Sequence, residues 1–127
     1  MRKFVLLLFF LFIAGINCHI KVVADLIKSE DFKLKGTFTI NSANAKNKYL
    51  SIHKNYILFS KNRHNYDIIE SSNNSYYIIS RYHQKFLGIK QKNGKQCKLY
   101  DKIDNTNSKY ISWDLIKTST GSFSTMS

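Results

Sequence analysis

Three histidines, His53, His64 and His83, could move protons in this chain. Two imidazoles beside a lysine can take and return a proton, as in a ribonuclease-like site. Their surroundings argue against that chemistry. The chain has no H-x-x-x-H spacing for zinc, no G-x-S-x-G elbow and no phosphate-binding glycine loop. The histidines share no local motif. The sequence therefore reads as non-enzymatic, with no catalytic residue, no metal site and no cofactor.

Charge is the next chemical feature. Twenty basic residues face eight acidic ones, a formal net charge of +12. That excess suits an anionic partner. It also has a bland source, because lysine, asparagine, isoleucine, tyrosine and phenylalanine crowd the chain as an AT-rich genome would dictate. Lys90, Lys92, Lys95 and Lys98 form the densest basic run and are candidate contacts for an anionic glycan; a solvated hairpin is the alternative. Lys48-Tyr49 and Lys85-Phe86 could pair phosphate contacts with base stacking. Export would make nucleic acid a poor partner and favour a sulfated or acidic glycan or an anionic membrane surface.

A chain of 127 residues is one domain. Arg2 and Lys3 precede an apolar run from Phe4 to Ile16, followed at once by Asn17, Cys18 and His19. That run is short of the roughly 20 residues a membrane span needs. Residues 1–18 read as a cleaved secretory signal peptide, leaving a secreted protein with no stable membrane span. Its removal lowers the basic residues to 18 against the same 8 acidic ones, a net of +10. Cys97 is then the single cysteine, read as buried in a strand. Asn73-Asn74-Ser75 is a glycosylation sequon, with Asn73 as the acceptor.

The elements that would position these groups are strands. Thr37 to Asn41 alternates polar and apolar residues, and Lys48 to His53 and Tyr56 to Phe59 follow as short strands. Residues 19–36 fit either a helical face, through Val22, Val23, Leu26 and Ile27, or a strand. The chain then repeats itself. Phe38-x-Ile40 recurs as Tyr76-x-Ile78, and Tyr49 to Ile52 as Phe86 to Ile89. Tyr56 to Phe59 recurs as Cys97 to Tyr100, and Asn65 to Ile69 as Ser112 to Ile116. The order is kept at offsets of 38, 37, 41 and 47 residues, within the range that marks repeat architectures. Phe123 to Met126 would open a third copy.

Four short strands per unit and three units in prospect predict an all-β, β-trefoil-like fold. It would follow the N-terminal segment 19–36 and occupy 37–127, with repeat one at 37–71, repeat two at 72–117 and a truncated repeat three at 118–127. The order of motifs resembles the ricin B-type lectin family. Tyr77 to Ser80 is similar to its opening strand, and Phe86-Leu87-Gly88-Ile89 to its cysteine-leucine-aspartate-valine segment. Asn93 to Tyr100 is similar to its asparagine-glycine turn and following strand, and Ile111-Ser112-Trp113 to its glutamine-x-tryptophan motif. The MIR-type trefoil of the protein mannosyltransferase group is the nearest competing resemblance.

The resemblance implies a carbohydrate-binding protein. Its sugar sites use an aspartate, an aromatic platform and polar residues before the tryptophan. Repeat two offers Gly88, Tyr100, and Tyr110 with Ile111 at those places; repeat one offers Ser51, Phe59, and Arg63 with His64. Tyr100, Phe59 and Asp101 are the implied carbohydrate contacts, with Asp104 and Asp114 as further candidate carboxylates. Tyr100 and Phe59 alternate with Leu99 and Leu58, which places both rings on an exposed face. Trp113 and Tyr66 read as core, and Asp67 and Asp114 as acceptors at strand ends. Two units and a stub leave an open side, so the chain would be marginally stable alone or self-associate through that side unless residues 19–36 fill it. The alternative is a secreted trefoil scaffold that binds a protein or an anionic surface without a sugar site.

Overall fold

A computed structural model describes residues 21–54, 56–90, 96–117 and 123–126. The signal-peptide reading of 1–18, together with Lys92 and Lys95, lies outside the described residues. The rest is mostly antiparallel strand with two short helices, so the all-β expectation holds. The elements are α1 (Lys21–Ile27), β1 (Phe32–Phe38), β2 (Asn41–Ser42), β3 (Ala45–His53), β4 (Tyr56–Ser60), β5 (Tyr66–Ser71), β6 (Tyr76–Ser80), β7 (Lys85–Ile89), β8 (Cys97–Tyr100), α2 (Ser108–Ile111), β9 (Asp114–Lys117) and β10 (Phe123–Met126). No helix among the described residues is long and apolar enough to cross a membrane.

Of residues 19–36, the described part, 21–36, contains both elements the sequence left open. Val22, Val23 and Leu26 share one face of α1, and Val23 is fully buried. The first strand begins at Phe32, five residues before the alternating run that marks it in the sequence. Gly36, at φ +148, sits at a register shift in β1.

The main sheet runs β1-β5-β6-β7-β8, and both of its faces are covered. On one face Ile69, Tyr77, Ile79, Phe86 and Tyr100 pack with Val23 of α1 and Ile111 of α2. On the other, Tyr66, Ile68, Ile78 and Leu87 pack with Leu50 and Ile52 of β3 and with Trp113. A central strand must therefore be apolar at consecutive positions, as Ile68-Ile69 and Tyr77-Ile78-Ile79 are.

The residues that align in the sequence occupy matching positions in this framework. Phe38 pairs with Tyr66 across β1 and β5, and Tyr76 forms an antiparallel bridge with Trp113. β3–β4 and β7–β8 are hairpins. So are β5–β6 and β9–β10, the latter formed with Phe123–Met126.

Candidate functional site

Tyr100, proposed as the sugar platform, is a core residue. It is only 9% exposed, packs with Ile111 and Phe86, and donates its hydroxyl to the Ile89 carbonyl at 2.6 Å. Burial raises its pKa. The pleat argument fails because β8 lies between two apolar clusters: Leu99 enters one and Tyr100 the other, so neither side is outside. The neighbouring Gly88 stands where the family carries an aspartate. A Cβ there would lie 2.6 Å from the Tyr110 carbonyl oxygen and 2.9 Å from the Tyr100 ring. Ser51, at the matching place in repeat one, is buried and bonded to Ser60 Oγ and the Asn62 carbonyl. Neither position has room to hold a carboxylate towards a sugar.

The other candidates are scattered. Phe59 is half exposed on β4. Asp101 is exposed and pairs with Lys85 at 3.3 Å. Asp104 accepts from the Thr106 hydroxyl and from the Thr106 and Asn107 amides, and these bonds lower its pKa. Asp114 is exposed on β9. Lys90 is exposed at the end of β7, and the Lys98 ammonium lies 4.9 Å from the Tyr100 ring centroid. Asn73 is exposed in the β5–β6 turn, where Ser71 Oγ donates to its side-chain oxygen. Cys97 is free and half-buried, and burial pushes its thiol pKa up.

A different set of residues converges. A cleft of about 550 Å³ is lined by Ile52, His53, Lys54, Arg63, His64, Asn65, Arg81, Tyr82 and His83. Three chain segments build it. The tight β3–β4 turn supplies His53 and Lys54, with Lys54 left-handed at φ 56. The segment before β5 supplies Arg63, His64 and Asn65. The β6–β7 turn supplies Arg81, Tyr82 and His83, closed by a Gln84 amide bond to the Ser80 carbonyl at 2.7 Å, with Gln84 left-handed at φ 53. The Arg81 amide donates to the Asn65 carbonyl at 3.0 Å, tying the second segment to the third.

The cleft has the electrostatics of an anion site. Three cationic side chains and three imidazoles line it, and no carboxylate of the described residues does. Arg81 Nη1 donates to Thr37 Oγ1 at 3.2 Å, and Thr37 Oγ1 donates to Asp67 Oδ1 at 2.5 Å. Asp67 is 1% exposed, so a buried carboxylate stands behind the guanidinium without entering the cleft. Its Oδ2 has no hydrogen-bond partner among the described residues. The Arg63 guanidinium lies 4.9 Å from the Tyr49 ring centroid. Tyr82 is 77% exposed, its ring edge-on to His83 with centroids 5.1 Å apart. His83 Nδ1 is 2.9 Å from Ser80 Oγ. Burial first, then the charges of His64 and Lys85, lower the His83 pKa. No group of three or more metal-ligating side chains occurs among the described residues.

The sequence points to His53, His64, His83 and Arg63 separately and misses their convergence, along with Lys54, Arg81 and Tyr82. One signal was present. Arg63 and Arg81 are the only arginines beyond Arg2, and each lies within two residues of a histidine. Biased composition accounts for lysine at scattered sites; it does not account for both arginines and three of the four histidines meeting at one cleft.

No family model, curated protein or solved structure matches this chain.

Proposed function

We propose that this is an exported, non-enzymatic, lectin-like protein that binds an acidic glycan in the Arg63–Arg81–Tyr82 cleft. Its scaffold is read as trefoil-type, in keeping with the resemblance to ricin B-type lectins. Supporting that scaffold are the matched pairs Phe38–Tyr66 and Tyr76–Trp113. The observation that carries the function is the convergence of Arg63, Arg81 and three histidines around an exposed tyrosine, with no carboxylate of the described residues in the lining. Guanidinium groups bind carboxylate, sulfate and phosphate oxygens through paired, charge-assisted hydrogen bonds. A tyrosine face packs on the apolar side of a sugar ring while its rim stays wet. The sugar site is thus moved from the Tyr100 region to the turns at the cleft.

A glycan array holding neutral, sialylated, uronic-acid and sulfated sugars tests this reading. Acidic members should bind the secreted protein, and the Arg63→Ala/Arg81→Ala double variant should lose them. Binding of neutral sugars alone, or acidic binding that survives the double variant, overturns it. Binding to no glycan on the array would favour the scaffold reading without a sugar site.

A further inference from the structure

We propose that ligand binding in this cleft is coupled to proton uptake, so that the protein holds its anion more tightly as the medium turns mildly acidic. This deepens the acidic-glycan reading and rests on it.

Histidine is the side chain that titrates between neutral and mildly acidic pH, and three of them share this cleft. His83 is the best placed to couple. Every charged group that its neighbouring segments turn towards the cleft is cationic or an imidazole. The β3–β4 turn offers His53 and Lys54, the segment before β5 offers Arg63 and His64, and its own turn offers Arg81. Lys85, at the start of β7, adds a further positive charge and has Asp101 as its partner at 3.3 Å. Asp67 is held behind Arg81 through Thr37. With the cleft empty, burial first and then the charges of His64 and Lys85 oppose a charge on His83 and lower its pKa. An anion among the same groups reverses the sign of that field and favours the imidazolium.

The ring can change state without moving. Ser80 Oγ lies 2.9 Å from His83 Nδ1 and also accepts the His83 amide at 3.3 Å. A hydroxyl can donate to a neutral ring nitrogen or accept from a protonated one. Ser80 is itself 1% exposed and fixed in β6. Linkage then requires reciprocity: an anion that raises the proton affinity of His83 is bound more tightly where His83 is protonated.

Titration calorimetry with a sulfated disaccharide tests the coupling, because sulfate esters do not titrate in this range. Affinity should rise about three- to tenfold from pH 7.5 to pH 5.5, within the limit of tenfold per pH unit per coupled proton. Buffers of different ionisation heat at pH 6.5 should report net proton uptake. His83→Gln should flatten the pH profile, read as the ratio of its own affinities at pH 5.5 and pH 7.5, whatever its affinity at pH 7.5. If that variant melts too low to assay, His64→Gln removes the neighbouring imidazole and should reduce the proton count. Equal affinity at both pH values without proton uptake, with binding still lost in Arg81→Ala, overturns the coupling and leaves the site standing. No binding at either pH removes both.

Discussion

The Trp113 indole donates to the Leu87 carbonyl at 2.9 Å, as the Tyr66 hydroxyl donates to the Leu50 carbonyl at 2.8 Å. Trp113 aligns with Tyr66 and Leu87 with Leu50 in the sequence, so one contact is made twice with different donor chemistry. Tyr66→Phe should leave the buried Leu50 carbonyl without its partner and cost about 1–3 kcal/mol. Trp113→Phe should cost more, because it also removes buried ring area. Urea denaturation at neutral pH measures both. No loss in Tyr66→Phe would show that this hydrogen bond contributes nothing to stability.

Tyr100→Ala should behave as a core truncation and cost about 3–5 kcal/mol. Gly88→Ala should also destabilise, by about 1–3 kcal/mol, since the Tyr110 carbonyl it meets is backbone and cannot swing aside. Thermal melts of the two variants check this. A Tyr100→Ala protein as stable as the parent would return that ring to the surface.

Tyr82→Ala should weaken glycan binding and change stability by no more than about 0.5 kcal/mol, as suits a side chain 77% exposed. Arg81→Ala should likewise lose binding. Affinity and melting temperature measured on the same preparations separate the site from the core. Full affinity in Tyr82→Ala would rule out ring stacking.

Stability without ligand should fall as the pH drops below about 6.5, the ordinary histidine value. His83 has a lowered pKa in the folded protein, so the unfolded chain binds the proton more readily. Its stabilising contribution is therefore present above the unfolded value and is lost as the pH falls towards the folded one. Melting curves from pH 8 to pH 5 should show a shallower decline in His83→Gln. An identical decline in both proteins would exclude His83 as its source.

The cleft and the lysine run can be told apart by substitution under salt. Binding through Arg63 and Arg81 should weaken as the Debye length shrinks from about 10 Å at 0.1 M to about 3 Å at 1 M salt. It should survive replacement of Lys90, Lys92, Lys95 and Lys98 by glutamine. Loss of binding in that quadruple variant would move the site to the β7–β8 hairpin.

Alternation and spacing in the sequence made many of the strands and their recurrence legible, but not which strands pair. Phe38 and Tyr76, and Tyr66 and Trp113, stand where the alignment matched them. Period two says which residues share a side and nothing about what covers that side. Tyr100 was misread for that reason, since α2 and α1 lie over the face that alternation marked as open. The helix was also half hidden: residues 21–36 hold both α1 and the start of β1, so neither period runs through them. The cleft was illegible for a different cause. Its residues come from two turns and the segment before β5, and their meeting depends on links such as the Arg81 amide to the Asn65 carbonyl, which no local pattern encodes.

Thr37 belongs to β1, yet it receives the Arg81 guanidinium and donates to Asp67, contacts separated by 44 and 30 residues of chain. The hairpins β3–β4, β5–β6 and β7–β8 join strands that are consecutive in the chain, whereas β2, β3 and β4 intervene between β1 and its partner β5. Local closures are entropically cheap and fast; distant ones come late. The hairpin turns of the cleft can therefore form before the N-terminal strand docks, with Arg81 still lacking its Thr37 contact. Capacity to bind would then appear after most of the β structure, in step with the arrival of β1. A refolding experiment that follows circular dichroism and ligand capture together should see the two signals separate in time.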